Sequence, residues 1–392
     1  MVSRRSVIRG ILAGISIPMV SPKISLAATQ KNRCLILVEL SGANDGLNTV
    51  VPINDHRYYD LRPTIALQKK DTFSISSDFA FHASLTPLDD ALQSGELAVV
   101  QGLGYPGQNR SHFKSIELWE TGGDGSGAKT TGWLTKDIEA LSKQGDFDAD
   151  GMSLDGDMGL FLSTSGNWIS ATSINQLQRE PIHAFTSSDT YGSENPALNA
   201  LLQQHVRLQK TIQNINSKLS KYKTFRHENF GAGDFGLQAA MAAHLIQSGV
   251  SVPVLKISLG GFDTHEFQYW RHRQLLLELS TGLAGLRAAL KQSGHWEHTL
   301  VMSYSEFGRR AAENNSEGTD HGAAAPHFML SGALNGGLWG RHPDLSNLSD
   351  GDLRYTMDYR CVYHTVLSQW FGIHKNKFAQ FDNPHLRNLI RT

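Results

Sequence analysis

Cysteine is nearly absent: only Cys34 and Cys361 occur in 392 residues. Two thiols cannot build a four-cysteine zinc site or a disulfide framework. They leave open either two buried free thiols or one long-range disulfide. An excess of either charge is also missing. Lys and Arg total 36 against 37 Asp and Glu, for a net charge of −1. A general nucleic-acid binder needs a basic surface, so that class is excluded. Past the N-terminal segment no apolar run is long enough to cross a bilayer, so no membrane span is expected in the mature chain. Internal repeats and low-complexity tracts are lacking as well. What the chain does have is histidine, 17 residues of it, which makes metal chemistry worth testing.

Residues 1–28 read as a targeting segment. Ser3-Arg4-Arg5-Ser6-Val7-Ile8-Arg9 resembles the twin-arginine export motif, and a moderately apolar stretch covers 11–20. Ser25-Leu26-Ala27 offers a small-x-small cleavage site. The implied partner is the twin-arginine export machinery, which carries folded proteins. The implied destination is the periplasm or the exterior. Residues 29–392 are expected to form a single α/β domain.

The order of elements supports that class. The continuous apolar run 33–40 reads as a buried strand ending in a Gly-rich turn. Residues 85–93 look helical, 97–101 look like another buried strand, and 109–121 open and form a helix. Helices are also expected over 133–142, 195–223, 235–248, 266–290 and 359–370. Further strands are expected over 252–259, 299–304 and 327–330. Residues 332–340 read as a turn region, and 146–189 as short strands and polar turns. Strands alternating with helices indicate a mainly parallel sheet with helices on both faces.

Polar groups gather where these strands end and helices begin: Asp45, Ser111, Asp263, His265, Glu306, Asp320 and His321. Such positions are where α/β sheets place their chemistry. Carboxylates and imidazoles without thiolates suit hard or borderline divalent ions. Each residue also has a plainer reading. Asp45 fits a turn beside glycine. Ser111 fits a helix N-cap, and so does Asp263 with a surface His265. Glu306 could pair with Arg309 or Arg310.

Six ordered motifs then carry a resemblance: Asn44-Asp45-Gly46-Leu47-Asn48 with Val51-Pro52, Gly104-Tyr105-Pro106, Asn109-Arg110-Ser111-His112-Phe113, Gly261-Phe262-Asp263-Thr264-His265, Ser305-Glu306-Phe307-Gly308-Arg309 and Thr319-Asp320-His321-Gly322. Together they resemble the exported bacterial family called domain of unknown function 1501, which in turn resembles the alkaline phosphatase and sulfatase superfamily. The resemblance implies an alkaline phosphatase-like fold and a metal-dependent hydrolase of phosphate or sulfate esters, acting on an anionic small-molecule or polymer substrate. It implies one or two divalent ions, Zn, Mn or Ca, held by Asp45, Asp263, His265, Glu306 and His321. Ser111 matches the nucleophile, and Asn109, Arg110, His112 and Asp320 are expected at the anionic group. Ser305-Glu306-Phe307-Gly308 stands where the superfamily has Ser-Asp-His-Gly; a rival alignment puts Asp320-His321-Gly322 there. Phe307 replaces a metal-binding histidine, so a second ion would lose a ligand. The alternative is an exported binding or assembly protein that keeps the fold without turnover.

Overall fold

A computed structural model describes residues 33–123, 131–163, 165–178, 195–222 and 228–391. The expected export segment, residues 1–28, and the stretch 179–189 lie outside the described residues.

The strands are β1 (Cys34–Leu40), β2 (Val50–Val51), β3 (Thr72–Ser74), β4 (Ala80–His82), β5 (Leu97–Gly104), β6 (Gly151–Ser153), β7 (Trp168–Ser170), β8 (Val254–Leu259), β9 (Thr299–Tyr304), β10 (Ala325–Leu330), β11 (Gly337–Gly340) and β12 (Met357–Asp358). The α-helices are α1 (His56–Leu61), α2 (Asp89–Gln93), α3 (His112–Thr121), α4 (Thr135–Ser142), α5 (Ile174–Gln178), α6 (Pro196–Leu219), α7 (Asp234–Gln247), α8 (Gln268–Gln292) and α9 (Arg360–Thr365). Beyond α9 the chain continues as a π-helical turn, Val366–Trp370, which completes the expected terminal helix.

Among the described residues, nine strands form one sheet in the order β11-β5-β10-β9-β1-β8-β6-β7, with β12 also on β5. Pairing is parallel throughout except at β10, which runs antiparallel to both β5 and β9. The expected α/β class with a mainly parallel sheet is what the chain forms. The reversal of β10 matters for chemistry. It brings the residues that precede β10 to the same sheet edge as the residues that follow β1, β8 and β9.

Alternation along β1 explains the two helical layers. Ile36, Val38 and Leu40 join a core with Ala239, Ala242, Leu279 and Leu286 of α7 and α8. Leu35 and Leu37 face the opposite core, with Trp119 of α3, Ile138 of α4 and Val362 of α9. Successive side chains of a strand point to opposite faces, so a continuous apolar run feeds both layers. The same alternation separates the cysteines. Cys34 lies in the first core and Cys361 in the second, and both are free thiols. The long-range disulfide left open by the sequence is therefore not formed.

Two small elements differ from the sequence reading. Gly337–Gly340 is a strand, although 332–340 reads as a turn. The apolar content there is only Leu338 and Trp339, and pairing is decided by the open edge of β5. A separate three-stranded sheet, β2-β4-β3, packs on the main sheet through Phe81 against Phe328, with ring centroids 6.0 Å apart.

Candidate metal centre

The turn after β8 places Asp263 and His265. The start of α3 places His112, and the lead into β10 places His321. These side chains meet. His321 Nε2 lies 3.2 Å from Asp263 Oδ1 and 2.9 Å from His265 Nε2. His112 Nε2 lies 3.1 Å from His321 Nε2 and 3.6 Å from Asp263 Oδ2. His265 Nε2 is 3.0 Å from Asp263 Oδ1.

The other ring nitrogens fix the protons. His112 Nδ1 donates to Glu306 Oε1 at 2.7 Å, His321 Nδ1 to the Arg110 carbonyl at 2.9 Å, and His265 Nδ1 to Asp320 Oδ1 at 3.2 Å. Each partner is a carboxylate or carbonyl oxygen that can only accept, so each Nδ1 must carry the hydrogen. In the neutral rings the three Nε2 lone pairs then face one another and the Asp263 carboxylate. Acceptors this close repel unless a cation lies between them. Histidine ligands whose second nitrogen donates to an oxygen are the usual build of a metal site. The donor set of three imidazoles and one carboxylate fits a divalent ion such as zinc. His112, Asp263 and His321 each offer one ligand atom, all within 4.8 Å of one another.

Arg309 sets this geometry from below. Its guanidinium is fully buried. It donates to the carbonyls of Gly42, Ala43, Phe262 and Thr319 and, at 2.6 Å, to Asp263 Oδ1. One side chain thus ties together the turns after β1 and β8 and the loop before β10. Burial works against ionisation of Asp263, yet the Arg309 guanidinium outweighs it and holds that carboxyl below the usual range. Gly42, at φ 106°, is required at this junction, because a Cβ there would stand 2.4 Å from the Asp263 nitrogen.

The histidines respond in opposite directions. The hydrogen bond to Glu306 raises the His112 pKa, whereas burial lowers that of His321. Phe307 is buried against both rings, 4.9 Å from His112 and 4.7 Å from His321 between centroids. It forms an apolar wall beside both imidazoles.

Beside the cluster lies a cavity of about 350 Å³, lined by Glu39, Ser41, Gly42, His112, Phe113, Ile116, Gly261, Asp263 and Glu306. It leads from the imidazoles to the top of β1.

The expected site residues divide accordingly. Asp263, His265 and His321 converge as anticipated. His112, expected at the substrate, sits among the candidate ligand groups instead. Glu306 faces His112 rather than the Nε2 cluster: Oε1 accepts from His112 and from the Gly42 N–H at 2.8 Å, and Oε2 from Ser305 at 2.9 Å. Burial opposes its ionisation, but these bonds outweigh it and keep the carboxyl below its usual range. The plainer alternative, a pairing of Glu306 with Arg309 or Arg310, is not formed, and Arg309 pairs with Asp263 instead. Asp45 is the clearest correction. It is buried away from the cluster, where Arg62 donates to its two oxygens at 2.6 and 3.0 Å and Gln268 donates at 2.5 Å. An oxygen set already saturated by a guanidinium and an amide does not serve an ion.

The proposed substrate contacts are likewise engaged elsewhere. Asn109 Oδ1 accepts the Ser111 N–H at 2.8 Å, the Arg110 guanidinium pairs with Asp352, and Asp320 holds His265 and Asn314. Ser111 is the N-cap residue of α3, but its hydroxyl makes no capping bond to the helix. It is exposed, adjacent to His112, and not among the residues lining the cavity. The sequence signal that would have found His112 was present: it opens a helix three residues after Asn109, at a strand-following turn.

No curated protein matches the sequence. Among solved structures the chain is similar to the lipoteichoic acid synthase LtaP from Listeria monocytogenes, at 12% identity and a TM-score of 0.35 over 79% of this chain and 68% of that one. It is also similar to the C-terminal periplasmic domain of EcEptC from Escherichia coli in complex with Zn, at 9% identity and a TM-score of 0.36 over 77% and 73% of the two chains. A third is a protein in the alkaline phosphatase superfamily from Vibrio parahaemolyticus, at 11% identity and a TM-score of 0.38 over 79% and 62%. The family expectation has firmer support, because one family model matches residues 98–377. The chain belongs to the family described as Protein of unknown function (DUF1501).

Proposed function

We propose that this chain is an exported, metal-dependent hydrolase of phosphate or sulfate esters. The observation that carries the reading is the convergence of three imidazole Nε2 atoms on Asp263 beside an open cavity. His112, Asp263, His265 and His321 hold the ion, and Glu306, Asp320 and the Arg110 carbonyl orient the rings. A divalent ion bound there would supply Lewis-acid stabilisation of charge on the ester oxygens and ease deprotonation of a nearby hydroxyl. Ser111 is the nucleophile in this reading. Its hydroxyl is not spent on capping, and it stands at a helix N-terminus that favours an anionic group. The cavity receives the remainder of an anionic small-molecule or polymer ester.

The test is metal analysis of the purified protein, followed by an aryl phosphate and aryl sulfate screen with Zn, Mn and Ca. His321→Ala and Asp263→Asn should lose both metal and turnover. Metal bound with full affinity by both variants would overturn the assignment.

A second reading is favoured by Phe307, whose ring packs against both His112 and His321 and brings no ligand atom for a second ion. In that reading the chain binds an anionic ligand without turnover. Bound metal with no ester cleavage under any ion would select it. Among the described residues no helix is long and apolar enough to cross a membrane. Export through Arg4-Arg5 is tested by replacing both with Lys, which should trap the precursor in the cytoplasm; normal export of that variant would refute it.

A further inference from the structure

A second group of carboxylates gathers around Glu39, away from the imidazoles. Glu39 lines the cavity and is contributed by β1. Glu120 comes from the last turn of α3, and Asp155 and Asp157 from the turn after β6. Lys256 of β8 is fully buried among them and pairs with Glu39 at 3.0 Å, Asp155 at 2.9 Å and Asp157 at 2.5 Å. It makes no ion pair with Glu120. One ammonium therefore faces four carboxyl groups.

Glu120 is the anomaly. It is 8% exposed, its Oε1 receives no N–H or O–H donor from the described residues, and burial together with the neighbouring Asp157 pushes its carboxyl up to about 8. A buried carboxylate oxygen left without a donor costs on the order of 1–3 kcal/mol or more. Yet Glu39, Glu120 and Asp157 each bring one oxygen to within 4.8 Å of the others. The backbone makes room for this. A Cβ at Gly159 would stand 2.2 and 2.6 Å from the two Glu120 oxygens, so only glycine lets the carboxylate lie there. The group is reachable from solvent, because the Asp157 side chain is 57% exposed.

We propose that Glu39, Glu120 and Asp157 form a binding site for a hard divalent cation, separate from the imidazole centre. An oxygen-only donor set suits Ca²⁺, Mg²⁺ or Mn²⁺, whereas the imidazole centre suits zinc. The ion supplies the missing partner of Glu120 Oε1 and offsets the charge that Lys256 leaves uncompensated. The site does not depend on the hydrolase reading.

Terbium, a luminescent stand-in for calcium, is the probe. Tyr304 donates to Glu39 Oε2 at 3.2 Å, and Trp119 stacks on Tyr304 with centroids 6.4 Å apart, so aromatic excitation should sensitise an ion held there. The chelator-treated full chain is titrated with Tb³⁺ and then with competing Ca²⁺, Mg²⁺ and Mn²⁺. Saturable emission, displaced by at least one of the three, is expected. Asp157→Asn and Glu120→Gln should each weaken Tb³⁺ binding tenfold or more, while His321→Ala retains it. Asp157 is half exposed, so its variant keeps the test valid if Glu120→Gln fails to fold. Wild-type affinity in the folded Asp157→Asn variant, loss of emission in His321→Ala, or no saturable emission in the wild type would each overturn the proposal.

Discussion

Asp45 gives the sharpest test of the assignments, because its two readings predict opposite behaviour. Asp45 and Arg62 are 1% and 0% exposed at the side chain. Replacing Asp45 with Asn leaves a buried guanidinium without its counter-charge. Removing one partner of a buried pair costs about 3–5 kcal/mol. Arg62 keeps its bonds to Asn48 Oδ1 and to the Ala311 and Arg310 carbonyls, which places the loss near the low end, about 3 kcal/mol. With an unfolding entropy of ~2.1 cal/mol/K per residue, that is about 4 °C in Tm for a chain of this size. The pH dependence follows. Burial pushes the Asp45 carboxyl up, but Arg62 outweighs it and holds the folded pKa below its usual value. A depressed carboxyl contributes stability that is present above the unfolded value, roughly 3.9, and is lost as pH falls through the folded one. The gap between wild type and Asp45→Asn should therefore be widest near neutral pH and shrink below about pH 4. Urea unfolding of the metal-free protein measures the gap, and zinc competition against a chromogenic chelator measures affinity. Asp45→Asn should keep wild-type zinc affinity. If it instead loses zinc while the metal-free stability is unchanged, Asp45 is a ligand and the structural role is wrong.

Four further outcomes are expected. Glu306→Gln and Asp320→Asn should fold normally and lower zinc affinity roughly 10–100-fold by loosening His112 and His265; unchanged affinity in both would remove them from the support of the centre. Ser111→Ala should shift stability by less than the ~1 kcal/mol expected of a true N-cap, while lowering any ester hydrolysis by orders of magnitude; retained activity would make Ser111 a bystander. Gly42→Ala should displace Asp263 and weaken metal binding, read by zinc titration, because a Cβ there meets backbone and cannot be relieved by a side-chain turn. Arg309→Met should release three turns at once, with a loss of several kcal/mol in urea unfolding and no metal bound by the surviving folded fraction; wild-type zinc affinity in that variant would refute the clamp.

The sequence by itself determined the strands that feed both cores, the helices between them, and the strand-end positions of three side chains of the polar cluster. Apolar runs such as 33–40 can only be buried; Asp263 and His265 lie just beyond one such run, and His321 a few residues before another. Local pattern could not decide direction or partnership. The antiparallel course of β10, which puts His321 at the edge where β1, β8 and β9 end, depends on pairing with β9 and with β5, the latter far away in sequence. The choice between ligand and support is also tertiary. Asp45 and Asp263 look alike as carboxylates in glycine-rich turns, but Asp45 faces Arg62 and Asp263 faces three imidazoles. Arg309 could have reached Glu306, its near neighbour in the chain; packing of three turns around its guanidinium gave it to Asp263 instead. A side chain's chemistry is written in the sequence, whereas its partner is set by which strand ends the sheet brings together.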